Sequence, residues 1–211
     1  ENIPLIGFCG SPWTLAAYSI EGRSSKDFEK TLNFLVSNQK DVHNLLTKYT
    51  DACFLYLRRQ VQSGADVIQI FDSWASLLSK EGLIEYSFNY INALISALKL
   101  DPVTKNIPVI VFARNPKCNI EELINTSADC ISLYWSMNDL NFELAKNKVA
   151  IQGNLDPKIL LESDEIIKRE TYKILEKFEK YPGYIFNLGH GITPDINPDK
   201  IKYLTNIVRE Y

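Results

Sequence analysis

The chain has 211 residues, 45% of them hydrophobic, and a formal net charge of −3 from 23 Lys and Arg against 26 Asp and Glu. That length and apolar share suffice for one substantial core, and the charge argues against the clustered Lys and Arg excess of a nucleic-acid footprint. No apolar run approaches the roughly 20 residues of a membrane span, and Cys9, Cys53, Cys118 and Cys130 are scattered without a C-x-x-C or a Cys/His cluster, as expected of reduced intracellular thiols.

In chain order, Ile3–Cys9 reads as a strand that opens almost at once, like a cut end, so any targeting sequence would be missing. A loop follows, then a helical pattern from Asp27 to Val36. A stronger helix runs from Asp41, its expected cap, to Ser63, with Gly64 closing it and Leu45, Leu46, Tyr49, Ala52, Cys53 and Tyr56 as its buried stripe. His43 in this helix reads as an ordinary surface residue. Val67–Phe71 is a short β-branched strand, and Lys80–Leu98 a long amphipathic helix capped by Ser79.

The alternation continues. Strand Val109–Phe112 precedes helix Ile120–Thr126, strand Cys130–Leu133 precedes helix Asn138–Lys146, and strand Val149–Gln152 precedes helix Asp164–Glu179. Strand Tyr184–Asn187 precedes helix Pro198–Glu210. Near-continuous apolar strands in repeated strand–helix units predict a parallel sheet covered on both faces, either a doubly wound sheet or a TIM barrel. The whole chain, 1–211, reads as one domain.

Every strand is followed by a polar or glycine-bearing loop: Gly10-Ser11-Pro12-Trp13-Thr14, Asp72-Ser73-Trp74, Ala113-Arg114-Asn115, Tyr134-Trp135-Ser136, Gly153-Asn154-Leu155-Asp156 and Gly189-His190-Gly191. A doubly wound fold needs such chemistry only at its switch point, whereas a barrel builds one site from all its C-terminal loops. With no G-x-G-x-x-G and no P-loop, nucleotide binding has no support. The expectation is an α/β TIM barrel, incomplete because the chain supplies about six of the roughly eight units that close one.

His190 lies between two glycines directly after an apolar run. The glycines remove side-chain bulk and permit positive φ, so the chain can turn sharply and a ligand can approach. Histidine suits proton or hydrogen-bond donation near neutrality. The tryptophans Trp13, Trp74 and Trp135 read as loop walls. Asp156-Pro157 reads as a helix start, and Asp72 as a loop brace rather than a catalytic acid. Arg23 and Arg114 fall in loops at the site end, where a guanidinium can bind carboxylate bidentately, although a solvated loop is the plainer reading.

The ordered motifs Pro4-Leu5-Ile6-Gly7-Phe8-Cys9-Gly10-Ser11-Pro12-Trp13-Thr14-Leu15-Ala16-Ala17-Tyr18, Ile70-Phe71-Asp72-Ser73-Trp74-Ala75, Gln152-Gly153-Asn154-Leu155-Asp156-Pro157 and Asn187-Leu188-Gly189-His190-Gly191 resemble uroporphyrinogen decarboxylase from residue 3 to residue 211. The resemblance implies a TIM-barrel carboxy-lyase of haem and porphyrin biosynthesis that turns the acetate arms of uroporphyrinogen III into the methyls of coproporphyrinogen III, without metal or organic cofactor. By it, Tyr18, Ser73 and His190 contact substrate, with Tyr18 and His190 as the catalytic candidates. The plainer roles are a ring anchor for Tyr18 and a helix cap for Ser73. The implied partner is a small-molecule porphyrinogen, with a homodimer allowed and no nucleic acid or membrane. The implied setting is the cytoplasm, or a plastid or other organelle.

Three departures accompany the resemblance. The family's R-Q-A-G-R and F-S-D-I type motifs, the latter with an aspartate that binds the pyrrole N–H groups, are absent, so the isolated chain is expected to be inactive. A glycine run is replaced by Arg23-Ser24-Ser25. The family's L-D-W-T is Leu133-Tyr134-Trp135-Ser136, and its F-A-K is Phe112-Ala113-Arg114. Two alternatives stand beside the decarboxylase. A corrinoid- or thiol-dependent methyltransferase shares the barrel but generally needs a zinc-held thiol, which scattered Cys and His disfavour. A non-catalytic porphyrin-binding or interaction module is the other.

Overall fold

The structure, a computed structural model, describes residues 3–23, 25, 27–138 and 140–211. Ser24 of the Arg23-Ser24-Ser25 departure and Asp139 of the expected Asn138–Lys146 helix lie outside the described residues.

The apolar runs form strands β1 (Ile6–Gly10), β2 (Val67–Asp72), β3 (Val109–Ala113), β4 (Cys130–Ser132), β5 (Ala150–Gln152) and β6 (Tyr184–Ile185). They make one sheet in the order β1-β2-β3-β4-β5-β6, with every neighbouring pair parallel. A doubly wound sheet reverses its strand order at a switch point. Here each connection steps to the next strand in the same sense, which is how a TIM barrel is wound. The sheet is open between β1 and β6, an incomplete barrel.

Strand alternation separates two faces. Cys9, Ile68, Ile70, Val111, Ile131 and Ile151 point to the helices, and none is more than 6% exposed. The opposite face carries Phe8, Gln69, Ile110, Cys130 and Ala150 in one register row. Gly10, Phe71, Phe112, Ser132, Gln152 and Ile185 form the next. On this second face Gln69, Ile110, Cys130 and Gln152 are 7%, 2%, 4% and 2% exposed, whereas Phe8 and Ile185 on the edge strands are 61% and 44% exposed. The central rows bury one another because the sheet curls inward. The expectation of a sheet covered on both faces is thereby corrected: helices cover the convex face, and the concave face closes on itself.

The helices are α1 (Pro12–Glu21), α2 (Glu29–Ser37), α3 (Gln39–Gln62), α4 (Lys80–Gly82), α5 (Asn89–Leu100), α6 (Ile120–Ile124), α7 (Asp164–Phe178) and α8 (Pro198–Glu210). Helix α1 corrects the loop expected after β1. Ser11 caps it by accepting from Thr14 N, Pro12 opens it, and Gly22 at φ +80° closes it. Its buried residues, Pro12, Trp13, Thr14, Ala16 and Ala17, give no clean apolar stripe, so periodicity hides it.

Helix α3 starts at Gln39 behind Asn38, so Asp41 is not its cap. Its buried stripe is Val42, Leu46, Cys53 and Leu57, while Ala52 and Tyr56 are exposed, a correction of about one helical position. Ser79 caps α4 as expected, accepting from Gly82 N, but a π-helical stretch, Leu83–Phe88, separates α4 from α5. The helix expected over Asn138–Lys146 is reduced to a 3₁₀ turn at Phe142–Leu144. After Asp156, which accepts from Lys158 N, the chain makes a 3₁₀ helix, Pro157–Leu161. A main core lies between the convex face and the helices. A smaller one joins Leu155, Leu160, Ile167, Ile196, Leu204 and Ile207 near the β6 edge.

Candidate active site

The ends of β2, β3, β4 and β6 surround a cavity of about 350 Å³ on the concave face. It is lined by Gln69, Phe71, Ser73, Phe112, Ser132, Asn187, Leu188, His190 and Gly191. Two of the three residues expected at the site, Ser73 and His190, therefore meet there from loops 117 positions apart (190 − 73). Ser73 is not the cap of the following turn, because Trp74 occupies that place and no side chain caps it. Tyr18 does not line the cavity. It projects from α1 with 39% of its surface exposed, its ring edge-on to Trp74 at 5.8 Å and to Phe28 at 6.0 Å.

His190 is exposed, and its Nδ1 lies 3.2 Å from the Gly191 carbonyl oxygen. A carbonyl only accepts, so Nδ1 donates in this contact, and Nε2 is left for a ligand, to which it donates when it too carries a proton. Its ring stands edge-on to Tyr134 at 5.9 Å. Neither flanking glycine adopts positive φ. Gly189 is required for another reason: a Cβ there would lie 2.4 Å from Trp135 N. The close approach expected of a ligand is made by the protein's own loop, and Gly191 has open space.

Asp72 ends β2 on the convex side, fully buried. Its carboxylate accepts from Thr14 Oγ1 on α1 at 3.0 Å and from Ser87 Oγ in the π-helical stretch. Burial pushes its carboxyl up, against the opposing hydrogen bonds from Ser87, Thr14, Ser11 and the Trp74 backbone. The geometry is that of a brace. Trp13 is also a brace, wholly buried with Nε1 donating to Trp74 O at 3.0 Å.

Several residues were not foreseen. Gln69, Ser132 and Gln152 face the concave side, and Gln152 Nε2 donates to Ser132 Oγ at 3.1 Å. Their signal was polar residues recurring inside otherwise apolar strands. Buried Asn154 donates from Nδ2 to Tyr134 O and Asn138 Oδ1, both at 3.2 Å. His43 is no ordinary surface residue: it stacks on Tyr86 at 5.1 Å, with Nδ1 2.7 Å from Tyr90 Oη and Nε2 3.3 Å from Glu85 Oε1. Cys9 and Cys53, distant in sequence, share a hydrogen bond that, with burial, pushes the Cys9 thiol up. Arg23 is exposed beyond α1, and Arg114 is half-buried at the end of β3. No group of three or more His, Cys, Asp or Glu side chains able to hold a metal occurs among the described residues. None of the described helices is long and apolar enough to cross a membrane.

The family model described as uroporphyrinogen decarboxylase matches residues 1–211. The curated uroporphyrinogen decarboxylase of Ruthia magnifica subsp. Calyptogena magnifica is 41% identical over 213 aligned positions, covering 100% of this chain and 61% of the relative. That of Aquifex aeolicus is 40% identical over 211, again covering 100% and 61%, and that of Alcanivorax borkumensis 40% identical, covering 99% and 60%. This chain thus spans about 60% of the length of such relatives. Among solved structures, a methyltransferase from Methanosarcina mazei superposes with TM-score 0.77 at 20% identity, covering 100% of this chain and 59% of that one. A dihydropteroate synthase from Thermus thermophilus gives 0.56 at 14%, covering 100% and 69%. Identities this low carry the fold alone.

Proposed function

This chain belongs to the uroporphyrinogen decarboxylase family, and we propose that the protein carrying it decarboxylates the acetate arms of uroporphyrinogen III to give coproporphyrinogen III. The observation that carries the reading is a family match along all 211 residues, with about 40% identity to the curated relatives. The chain forms one domain, the C-terminal part of the barrel. The porphyrinogen is its small-molecule partner. A homodimer and a cytoplasmic or organellar setting belong to the same reading and rest on the family alone.

Each step exchanges a carboxylate for a proton: the arm's CH₂–CO₂⁻ bond breaks, CO₂ leaves, and one proton converts the carbon to a methyl. The electron pair left by CO₂ needs a sink, which a pyrrole protonated at the arm-bearing ring supplies. The second proton then completes the methyl, and loss of the first from the ring restores the pyrrole, so one proton is consumed overall. Both protonations need placed donors and limited water. In this reading His190 presents Nε2 to the cavity that Ser73 also lines, and supplies a proton or a hydrogen bond to an arm carboxylate. Ser73 adds a small hydroxyl donor, while Tyr18, on α1 outside this cavity, keeps its role as a phenolic donor by the family reading alone. No step calls for a metal or an organic cofactor.

The experiment is conversion of uroporphyrinogen by the full-length protein without added metal, with CO₂ and coproporphyrinogen measured. Activity lost on chelation and restored by zinc would instead favour the methyltransferase reading. The isolated 211-residue chain should release little or no CO₂, because the concave face that shields the reaction is open between β1 and β6.

A further inference from the structure

We infer that Arg114 binds a carboxylate of the substrate at the mouth of the sheet. The inference deepens the decarboxylase reading by naming a contact within it. The ladder registers Phe71↔Phe112 and Phe112↔Ser132, carried two residues on from these pairs, bring Ser73, Arg114 and Tyr134 to neighbouring strand ends. Arg114 N donating to Asp72 O at 2.9 Å shows that the ladder does continue past β3. Arg114 follows the end of β3, between the strand ends that carry Ser73 on the cavity and Tyr134, whose ring meets His190.

The charge of Arg114 is uncommitted. Its guanidinium makes no ion pair and no side-chain hydrogen bond with any described residue. Its one aromatic contact is with Trp74, with Cζ 5.7 Å from the ring centroid. Such a cation–π contact engages the charge without consuming its N–H donors. Trp74 Nε1 is itself buried with no acceptor. Tyr134, where the chain departs from L-D-W-T, stands at the neighbouring strand end and brings no negative charge. A half-buried guanidinium, beside a cavity without an acidic neighbour, fits a carboxylate through two parallel hydrogen bonds. The solvated-loop reading of Arg114 leaves its partial burial and its contact with Trp74 unexplained.

The test uses the full-length protein and uroporphyrin, the oxidised porphyrin bearing the same carboxylates, as a fluorescent probe of equilibrium binding. Binding is then read independently of decarboxylation. Arg114→Ala and Arg114→Gln should each raise Kd about tenfold, and Arg114→Lys about threefold, since lysine keeps the charge and loses the fork. Arg114→Gln retains a stem over Trp74 and guards against misfolding in the alanine variant. With uroporphyrinogen, KM should rise in parallel while kcat stays within about twofold. An unchanged Kd in folded Arg114→Gln overturns the assignment, as does wild-type protein that binds no uroporphyrin. Binding that depends on Arg114 without any CO₂ release would sustain this site while removing the decarboxylase reading.

Discussion

A methyl group on Gly189 would lie 2.4 Å from the backbone nitrogen of Trp135 and 2.5 Å from its Cα. The loops after β4 and β6 therefore touch backbone to backbone, an approach only glycine allows. Trp135 N also donates to Gly189 O at 3.3 Å, and Gly189 N to Leu155 O at 2.8 Å. Gly189→Ala should thus force apart the loops that carry Tyr134 and His190. The expected loss of stability is about 1–3 kcal/mol, the range for overpacking. Chemical denaturation measures it, and a variant as stable as wild type would show that the loops can part freely.

His190→Ala in the full-length protein should lower turnover more than Trp135→Ala, because His190 lines the cavity and Trp135 does not. Unfolding midpoints belong beside the rates, since truncating a well-packed tryptophan costs about 3–5 kcal/mol and imitates a catalytic defect. Equal specific activities of folded His190→Ala and wild type would remove His190 from the mechanism.

Asp72 predicts a pH dependence of stability. Burial holds its folded carboxyl above the ordinary value of 3.8, so at pH just above 3.8 the native state keeps a proton that the unfolded chain has lost. This group's contribution is fully present below 3.8 and declines as pH rises through its folded pKa. Asp72→Asn should flatten that part of the profile, measured by urea unfolding at a series of pH values from about 4 to 7. Asp72→Ala should cost about 2–4 kcal/mol at neutral pH by leaving the Thr14 and Ser87 hydroxyls without their acceptor.

The open edges predict association. On β1, Ile6 and Phe8 are 45% and 61% exposed, with Leu5 just before it at 58%, and Ile185 on β6 is 44% exposed. Unpaired strand backbone flanked by apolar side chains is a template for further pairing. Gln60 Nε2 occupies one edge acceptor, Phe8 O, at 2.9 Å, which blunts β1 in part. Sedimentation of the isolated 211-residue chain should show concentration-dependent oligomers, reduced in Phe8→Lys. A strictly monomeric chain would contradict this reading of the edges.

Much of the architecture was legible from the residues in order. Val67–Phe71 and Val109–Phe112 are strands because short β-branched runs bounded by turn residues have little else to form. Ser79, the expected cap, accepts a backbone N–H at its helix start, and the helix expected over Pro198–Glu210 has those bounds. Helix α1 was missed because burial on several sides erases the apolar stripe that periodicity detects. The Asn138–Lys146 helix was overestimated because an amphipathic pattern does not reveal that only one turn will find a surface to pack on. Ser73 and His190 could be singled out as chemical types after strands, yet no spacing shows that residues so far apart share one cavity. That is a consequence of sheet register. Register and the curl of the sheet also turn Asp72 toward the helices, bring Arg114 beside Trp74, and press Trp135 against Gly189. Local sequence determined where the chain extends, coils and turns, because those preferences act over a few bonds. Tertiary structure decided which side chains face the concave side and meet there, because that depends on strand pairing between segments whose order alone carries no distance.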